Sequence, residues 1–209
     1  MQQAREILDF WFGALTPQGW TVSDNLPLWF GGRAADDDAM RQRFGALIED
    51  AAGGRLAEWE NHSDDALMAL ILLTDQMTRA AYRGSAQAFC GDAVALTVCK
   101  NGIADGRHKR LPPAWRRFYY LPLEHSEGLA DQADCVQQFR QLLEEYPQYA
   151  ELDTPGASLT AAVEYAQLHY DIIERFGRFP HRNALLGRTA TQEEEDYLAN
   201  GGEHFGQRK

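Results

Sequence analysis

Apolar residues recur at helical spacing along most of the chain, and short runs of turn-forming residues separate the periodic segments. No segment shows the sustained alternation of apolar and polar residues that is typical of strands. The sequence therefore predicts an all-α fold of about eight helices, packed as antiparallel pairs in a single domain spanning residues 1–209. The predicted helices lie near residues 6–12, 36–52, 63–80, 85–102, 113–127, 131–145, 158–176 and 191–198.

Individual side chains predict several helix boundaries. Ser63 is a favourable N-cap for the helix that follows it, and Thr191 with Glu194 has the spacing of a capping box. Pro122 predicts a break within the fifth helix, because an internal proline removes a backbone donor. The helix after Ser63 is apolar nearly all round at its start, so we expect it deep in the core. We expect the tail after Gly201 to fray.

Two segments are expected to be irregular. Residues 14–32 are rich in turn formers and carry Trp20, Trp29 and Phe30, which we expect to anchor this segment on the core. Residues 107–117 are basic and contain no acid. This run could bind an anion or form a solvated loop that offsets nearby acids, and the solvated loop is favoured.

The composition is typical of a soluble globular protein, with 44% apolar and 24% charged residues in a chain of 209. The formal net charge of -11 argues against general binding of nucleic acid or of an anionic membrane. No apolar run is long enough to span a bilayer, and the N-terminus lacks the pattern of a signal peptide. The three cysteines form no C-x-x-C pair, so we expect reduced thiols in a cytoplasmic protein.

Three segments carry more polar residues than a simple core requires: residues 75–83, residues 124–127, and His169 with the stretch 175–188. If they converge, arginine side chains would bind a carboxylate or phosphate, and histidines would transfer protons near neutral pH. The candidate ligand-binding residues are Asp75, Arg79, Tyr82, Arg83, Arg178, Arg182, Asn183 and Arg188. The candidate acid–base residues are Glu124, His125, His169 and His181.

The sequence thus favours a protein that binds an anionic small molecule, with acid–base catalysis as an open part of its function. One alternative is a helical-repeat module whose arginine-lined groove binds a peptide or an acidic segment. Another is a structural polar core, in which the arginines pair with Asp75, Glu124 and Glu127. The candidate histidines and Glu124 are metal-ligand types, but their separations match no common motif, so no metal site is predicted. Nothing in the sequence identifies a cofactor or an oligomeric state.

Three motifs resemble the signature blocks of an uncharacterised, mainly bacterial protein family of roughly this length. They are LILLTDQMTRAAYRG, YLPLEHSE and FGRFPHRNALLGR, and the segments LDFWFG and LWFGG are similar to the N-terminal pattern of the same family. The resemblance covers nearly the whole chain and implies an all-α fold similar to tetratricopeptide-type helical repeats, without an activity. The chain departs from the family in the first block, where Met77 and Thr78 replace Phe-Pro and Ala80 replaces an asparagine.

Overall fold

The computed structural model describes residues 2–23, 25–152 and 158–206, and most of these residues are helical. Among them, extended pairing is limited to one bridge between Leu15 and Thr21, so the predicted all-α fold is confirmed. The α-helices are α1 Gln2–Phe12, α2 Leu26–Phe30, α3 Ala34–Ala52, α4 Trp59–His62, α5 Asp64–Ile71, α6 Thr78–Ala81, α7 Asp92–Ala104, α8 Pro113–Tyr119, α9 Leu121–Glu124, α10 Leu129–Glu145, α11 Leu159–Phe176 and α12 Gln192–Ala199.

The helix predicted to lie deepest occupies the centre of the molecule. It begins as expected at Ser63, whose Oγ accepts a hydrogen bond from the backbone N–H of Ala66 at 3.1 Å. Helices α1, α4, α7 and α8 pack against α5, which is apolar and buried from Ala66 to Ile71. Burying an apolar surface on all sides explains why this segment lacks a polar face.

A π-helical segment, Leu72–Met77, joins α5 to α6 and is entirely buried. A π-helical turn takes one residue more than an α-helical turn, so the side chains after it are rotated from their α-helical positions. Thr74 and Thr78 donate side-chain hydrogen bonds to the carbonyls of Leu70 and Thr74, at 2.7 and 3.1 Å. The sequence predicted a regular α-helix here, and it missed this widened turn.

The helix predicted over residues 85–102 is wrong in its first part. A short 3-10 helix, Ala86–Phe89, comes first, and α7 begins only at Asp92. Gly91 lies between them because the central helix approaches it closely. A Cβ atom on Gly91 would lie 2.1 Å from the carbonyl oxygen of Thr74, so the contact requires glycine.

Helices α10 and α11 pack against each other as an antiparallel pair. The backbone N–H of Thr160 donates to the carbonyl of Ala150 at one end of the pair, and the N–H of Phe179 donates to Glu127 at the other. Helix α5, by contrast, is surrounded by several neighbours. A tetratricopeptide-like stacking of helix pairs therefore stays a prediction.

The other boundary predictions are mostly confirmed. The capping box of Thr191 and Glu194 is present, and the chain breaks at Tyr120, so that Pro122 lies in the first turn of α9. Residues 14–32, expected to be irregular, include the short helix α2. Phe30 at its end is 56% exposed instead of anchored on the core.

Two expectations about exposed segments are wrong. Arg116 and Arg117 of the basic run are buried, and Arg116 forms an ion pair with Glu145, so this part of the run is not a solvated loop. The tail after Gly201 does not fray over the part that the structure describes. Phe205 stacks on the ring of His169 with centroids 4.1 Å apart, because an aromatic side chain gains stability by leaving water.

Candidate functional site

Residues of the first two polar segments, together with His169 of the third, line a cavity of about 400 Å³, which we call the polar cavity. The end of the central helix, the C-terminal end of α9 and the middle of α11 supply its polar wall. Trp11, Trp29 and Phe30 form an aromatic wall, and residues 203–206 border it on another side. The polar side chains that line it include Gln76, Arg79, Arg83, Glu124, His125 and His169.

Asp75 and His125 form a hydrogen-bonded pair at the base of this wall. The Asp75 side chain is fully buried, and its Oδ1 lies 2.8 Å from Nδ1 of His125. Gln76 donates to the other carboxylate oxygen at 2.7 Å, and Arg79 lies 3.3 Å from Oδ1. Burial opposes ionisation, but His125 and Arg79 outweigh it and hold the pKa of Asp75 well below its usual range.

This pair fixes the tautomer of His125. An ionised carboxylate only accepts hydrogen bonds, so Nδ1 carries the proton and Nε2 keeps its lone pair. Burial and the nearby Arg79 lower the pKa of His125 despite the attraction of Asp75, so the ring is neutral at pH 7. A neutral imidazole oriented by a buried carboxylate is the arrangement that general bases use.

Glu124 and His169 form a second pair, and in this pair the carboxyl group is protonated instead of ionised. Burial raises the pKa of Glu124 to about 8, and the neighbouring negative charge of Asp75 adds to the shift. His169 Nδ1 donates to the backbone carbonyl of Tyr165 at 2.8 Å and lies 3.8 Å from Glu124. Burial lowers the pKa of His169 to about 3, so both side chains are neutral at pH 7.

The candidate arginines beside the cavity are paired with carboxylates. Arg79 donates two hydrogen bonds to Asp92, at 2.8 and 3.0 Å. Arg182 lies 3.6 Å from the same carboxylate. Arg83 pairs in the same bidentate manner with Asp37, at 2.8 and 3.1 Å. The positive charge of this wall is therefore largely balanced within the protein.

A smaller cavity of about 40 Å³ lies beside the polar cavity and reaches His181. The guanidinium of Arg182 is stacked between Phe89 and Phe179, 4.8 and 4.4 Å from the ring centroids. The buried Nδ1 atom of His181 has no hydrogen-bond partner among the described residues. Burial and the adjacent Arg182 lower the pKa of His181 to about 2, which keeps it neutral.

The remaining candidates lie away from the polar cavity. Arg178 donates to Glu194 of α12, and Arg188 donates to Glu127, so both tie the loop after α11 to its neighbours. Asn183 is buried in that loop. The hydroxyl of Tyr82 lies 3.5 Å from Glu49 on α3. The structure gives these four side chains a place in loop and helix packing.

Sequence reasoning missed two residues of this region, Asp92 and Phe205. Asp92 follows a glycine at a helix start and meets Arg79 and Arg182 only through the fold, so no local pattern distinguished it. Phe205 lies in a segment of glycines and polar residues whose composition is typical of a frayed tail. The single aromatic side chain was the signal that could have indicated packing.

Among the described residues, no three His, Cys, Asp or Glu side chains are arranged to hold a metal ion. None of the helices described above combines the length and the hydrophobicity that crossing a bilayer requires.

The fold and the site define an all-α protein with a histidine-containing polar cavity at the end of a central helix. The chain belongs to a family described as "Bacterial protein of unknown function", DUF924, which matches residues 7–202. The chain is also similar to the solved structure of a protein of unknown function from Agrobacterium tumefaciens. The sequences are 32% identical, the TM-score is 0.74, and the match covers 96% of this chain and 98% of the other. The comparison with curated proteins found no match.

Proposed function

We propose that this protein is an enzyme that acts on a small molecule in the polar cavity by general acid–base catalysis. The observation that carries the proposal is the contrast between two buried carboxyl groups that face the same histidine cluster. Asp75 is held ionised by His125 and Arg79, whereas Glu124 is held protonated by burial. Environments that separate the pKa values of neighbouring carboxyl groups are a common feature of acid–base sites.

Each polar residue of the two pairs would have a distinct role in catalysis. Nε2 of His125 would accept a proton from the substrate, and Asp75 would stabilise the resulting imidazolium ion. Glu124 would donate a proton or a hydrogen bond to an oxygen on which negative charge develops. His169 is fixed by its bond to the Tyr165 carbonyl and would hold the substrate beside Glu124.

We expect the substrate to carry one carboxylate or phosphate group. A guanidinium has five N–H donors, so Arg79 and Arg83 retain donor capacity beyond their bonds to Asp92 and Asp37. Because those carboxylates already balance most of the arginine charge, a group of low charge fits better than a polyphosphate. A cavity of about 400 Å³ is in the size range of small-molecule sites and small for a peptide groove.

A ligand screen by thermal unfolding tests this proposal. A carboxylate or phosphate that binds the folded state should raise its stability by about 2.7 kcal/mol at a hundredfold excess over Kd. The shift should disappear in Arg83→Gln and persist in Arg178→Gln, a matched ion-paired arginine outside the cavity. The absence of a shift for every small molecule, or an equal loss in both variants, would contradict the proposal. A shift with acidic peptides alone would favour the interaction module.

A further inference from the structure

A second cavity of about 420 Å³ adjoins the polar cavity, and we call it the apolar cavity. Its wall is mainly hydrophobic, comes from α2, α8, α9, α10 and α11, and includes the charged residues Arg117 and Glu164. The two cavities share four wall residues: Phe30, Leu121, Glu124 and Tyr165. The other apolar residues of its wall are Leu26, Phe118, Phe139, Ala161 and Ala162.

Two exposed aromatic side chains lie where the cavities meet. Phe30 is 56% exposed and Tyr165 is 53% exposed, and each lines both cavities. Large exposed aromatic surface beside a cavity is a common feature of ligand sites, because a bound apolar group removes that surface from water. Helix α2 holds Phe30 on one side of the junction, and α11 holds Tyr165 on the other.

We propose that the substrate is an amphiphile, whose anionic head occupies the polar cavity and whose alkyl or aryl tail occupies the apolar cavity. This inference rests on the proposed function, because it takes the anionic head from the arginines of the polar cavity. Because the four shared residues place the two cavities side by side, one ligand with an anionic head and an apolar tail would fill both. Glu124 at the junction is neutral at pH 7 and does not repel an anionic head.

A homologous series of straight-chain carboxylates, from two to ten carbons, tests the inference with the intact chain. The dissociation constants are measured by isothermal titration below the concentrations at which the acids form micelles. Each methylene that enters an apolar cavity should tighten binding by about fourfold, from the free energy of burying one CH2 group. The affinity should stop rising once the tail fills the cavity. The matching primary alcohols, which lack the charge, should bind more weakly at every length.

Two variants of the apolar wall locate the tail. Ala161→Phe should shorten the chain length at which affinity stops rising, because it fills the apolar cavity. Leu26→Ala should lengthen it, because it enlarges the same cavity. Neither residue lines the polar cavity, so the shortest acids should bind both variants as they bind the unmodified protein. Circular dichroism and thermal unfolding establish that each variant is folded.

The outcomes separate this inference from the proposed function. Binding of short acids that Arg83→Gln abolishes, with no dependence on chain length, would overturn the amphiphile and leave the anion site standing. A chain-length dependence that is the same in Ala161→Phe, in Leu26→Ala and in the unmodified protein would place the tail elsewhere and also overturn it. No binding at any length would overturn both. A dimer that forms through Phe30 and Tyr165 would assign the junction to a second copy of the chain.

Discussion

At the scale of single residues, the site is built from polar side chains buried by their neighbours. Asp75 is fully buried and ionised, whereas Glu124 is buried and protonated, although each lies beside a histidine of the same cluster. The difference comes from their partners. Asp75 has His125, Arg79 and Gln76 within hydrogen-bond or ion-pair distance. Glu124 lies 3.8 Å from His169, and the charge of the nearby Arg117 does not outweigh its burial. Residue type alone therefore did not determine protonation state.

Glu124 should make the protein less stable as pH rises. Its pKa is about 8 when folded and about 4.5 when unfolded, so between these values the native state binds more protons. The contribution of Glu124 to the free energy of unfolding therefore falls with increasing pH, by up to about 1.4 kcal/mol per pH unit. Glu124→Gln should remove this slope, and urea unfolding from pH 5 to pH 8.5 measures it.

The nearby Glu127 is a control, because its pKa is shifted in the opposite direction from that of Glu124. Burial opposes its ionisation, but Arg188 and the backbone N–H of Phe179 outweigh this and lower its pKa below 4.5. Glu127 thus stabilises the fold above pH 4.5 and loses this effect as pH falls through its folded pKa. Glu127→Gln should be destabilising at pH 7. Identical pH profiles for the two glutamine variants would refute the assignment for Glu124.

At the scale of elements, local signals predicted most boundaries and long-range contacts determined the rest. Ser63, and Thr191 with Glu194, act on backbone groups within three residues, so the sequence identified them correctly. The π-helical segment and the break before α7 depend on each other across the core. Gly91 contacts Thr74, which lies seventeen positions earlier in the chain. A window of one helix length does not contain that contact.

The contact between Gly91 and Thr74 predicts a large difference between two Gly→Ala substitutions. In Gly91→Ala the new methyl group would meet a backbone carbonyl at 2.1 Å, so one element must move. We expect a loss of about 3 kcal/mol in the free energy of unfolding. In Gly45→Ala of α3, the nearest atom is Arg41 Cγ at 3.9 Å. This control should gain about 0.5–1 kcal/mol, and urea unfolding compares them.

If Gly91→Ala proves as stable as the unmodified protein, the close approach of α7 to the π-helical segment is wrong. Because Asp92 follows Gly91 and pairs with both Arg79 and Arg182, a displaced α7 should also disturb the arginine wall. We therefore expect Gly91→Ala to weaken binding of any ligand that Arg83→Gln abolishes, and Gly45→Ala to leave it unchanged.

At the scale of the whole molecule, the sequence predicted which segments hold the candidate residues but not which of those residues share a cavity. His125, His169 and Arg79 meet there, whereas Arg178 and Arg188 serve as ties around the loop after α11. Periodicity places a side chain on one face of its own helix. Periodicity does not identify the helix that packs against that face. The fold was therefore needed to distinguish the arginines that line the cavity from those that hold the loop after α11.

The segment 203–206, which the sequence predicted to fray, closes the histidine cluster. Phe205 has a φ of +46°, in a backbone region that residues other than glycine rarely adopt. The free energy gained from its contacts must therefore exceed the cost of this backbone strain. Its ring lies 4.1 Å from that of His169 and 5.1 Å from that of His181, measured between centroids. Removing this segment should expose both histidines without removing any helix.

A chain truncated after Gly202 tests this closure. We expect it to fold, with a loss of about 1–2 kcal/mol because the apolar burial of Phe205 is removed. Diethyl pyrocarbonate should then modify His169 and His181 much faster than in the full chain, as mass spectrometry of the peptides would show. Exposed His62 should react equally in both proteins, which makes it an internal control. Equal protection of His169 and His181 after truncation would mean that α11 and its loop bury them unaided, and that the tail does not control access to the cavity.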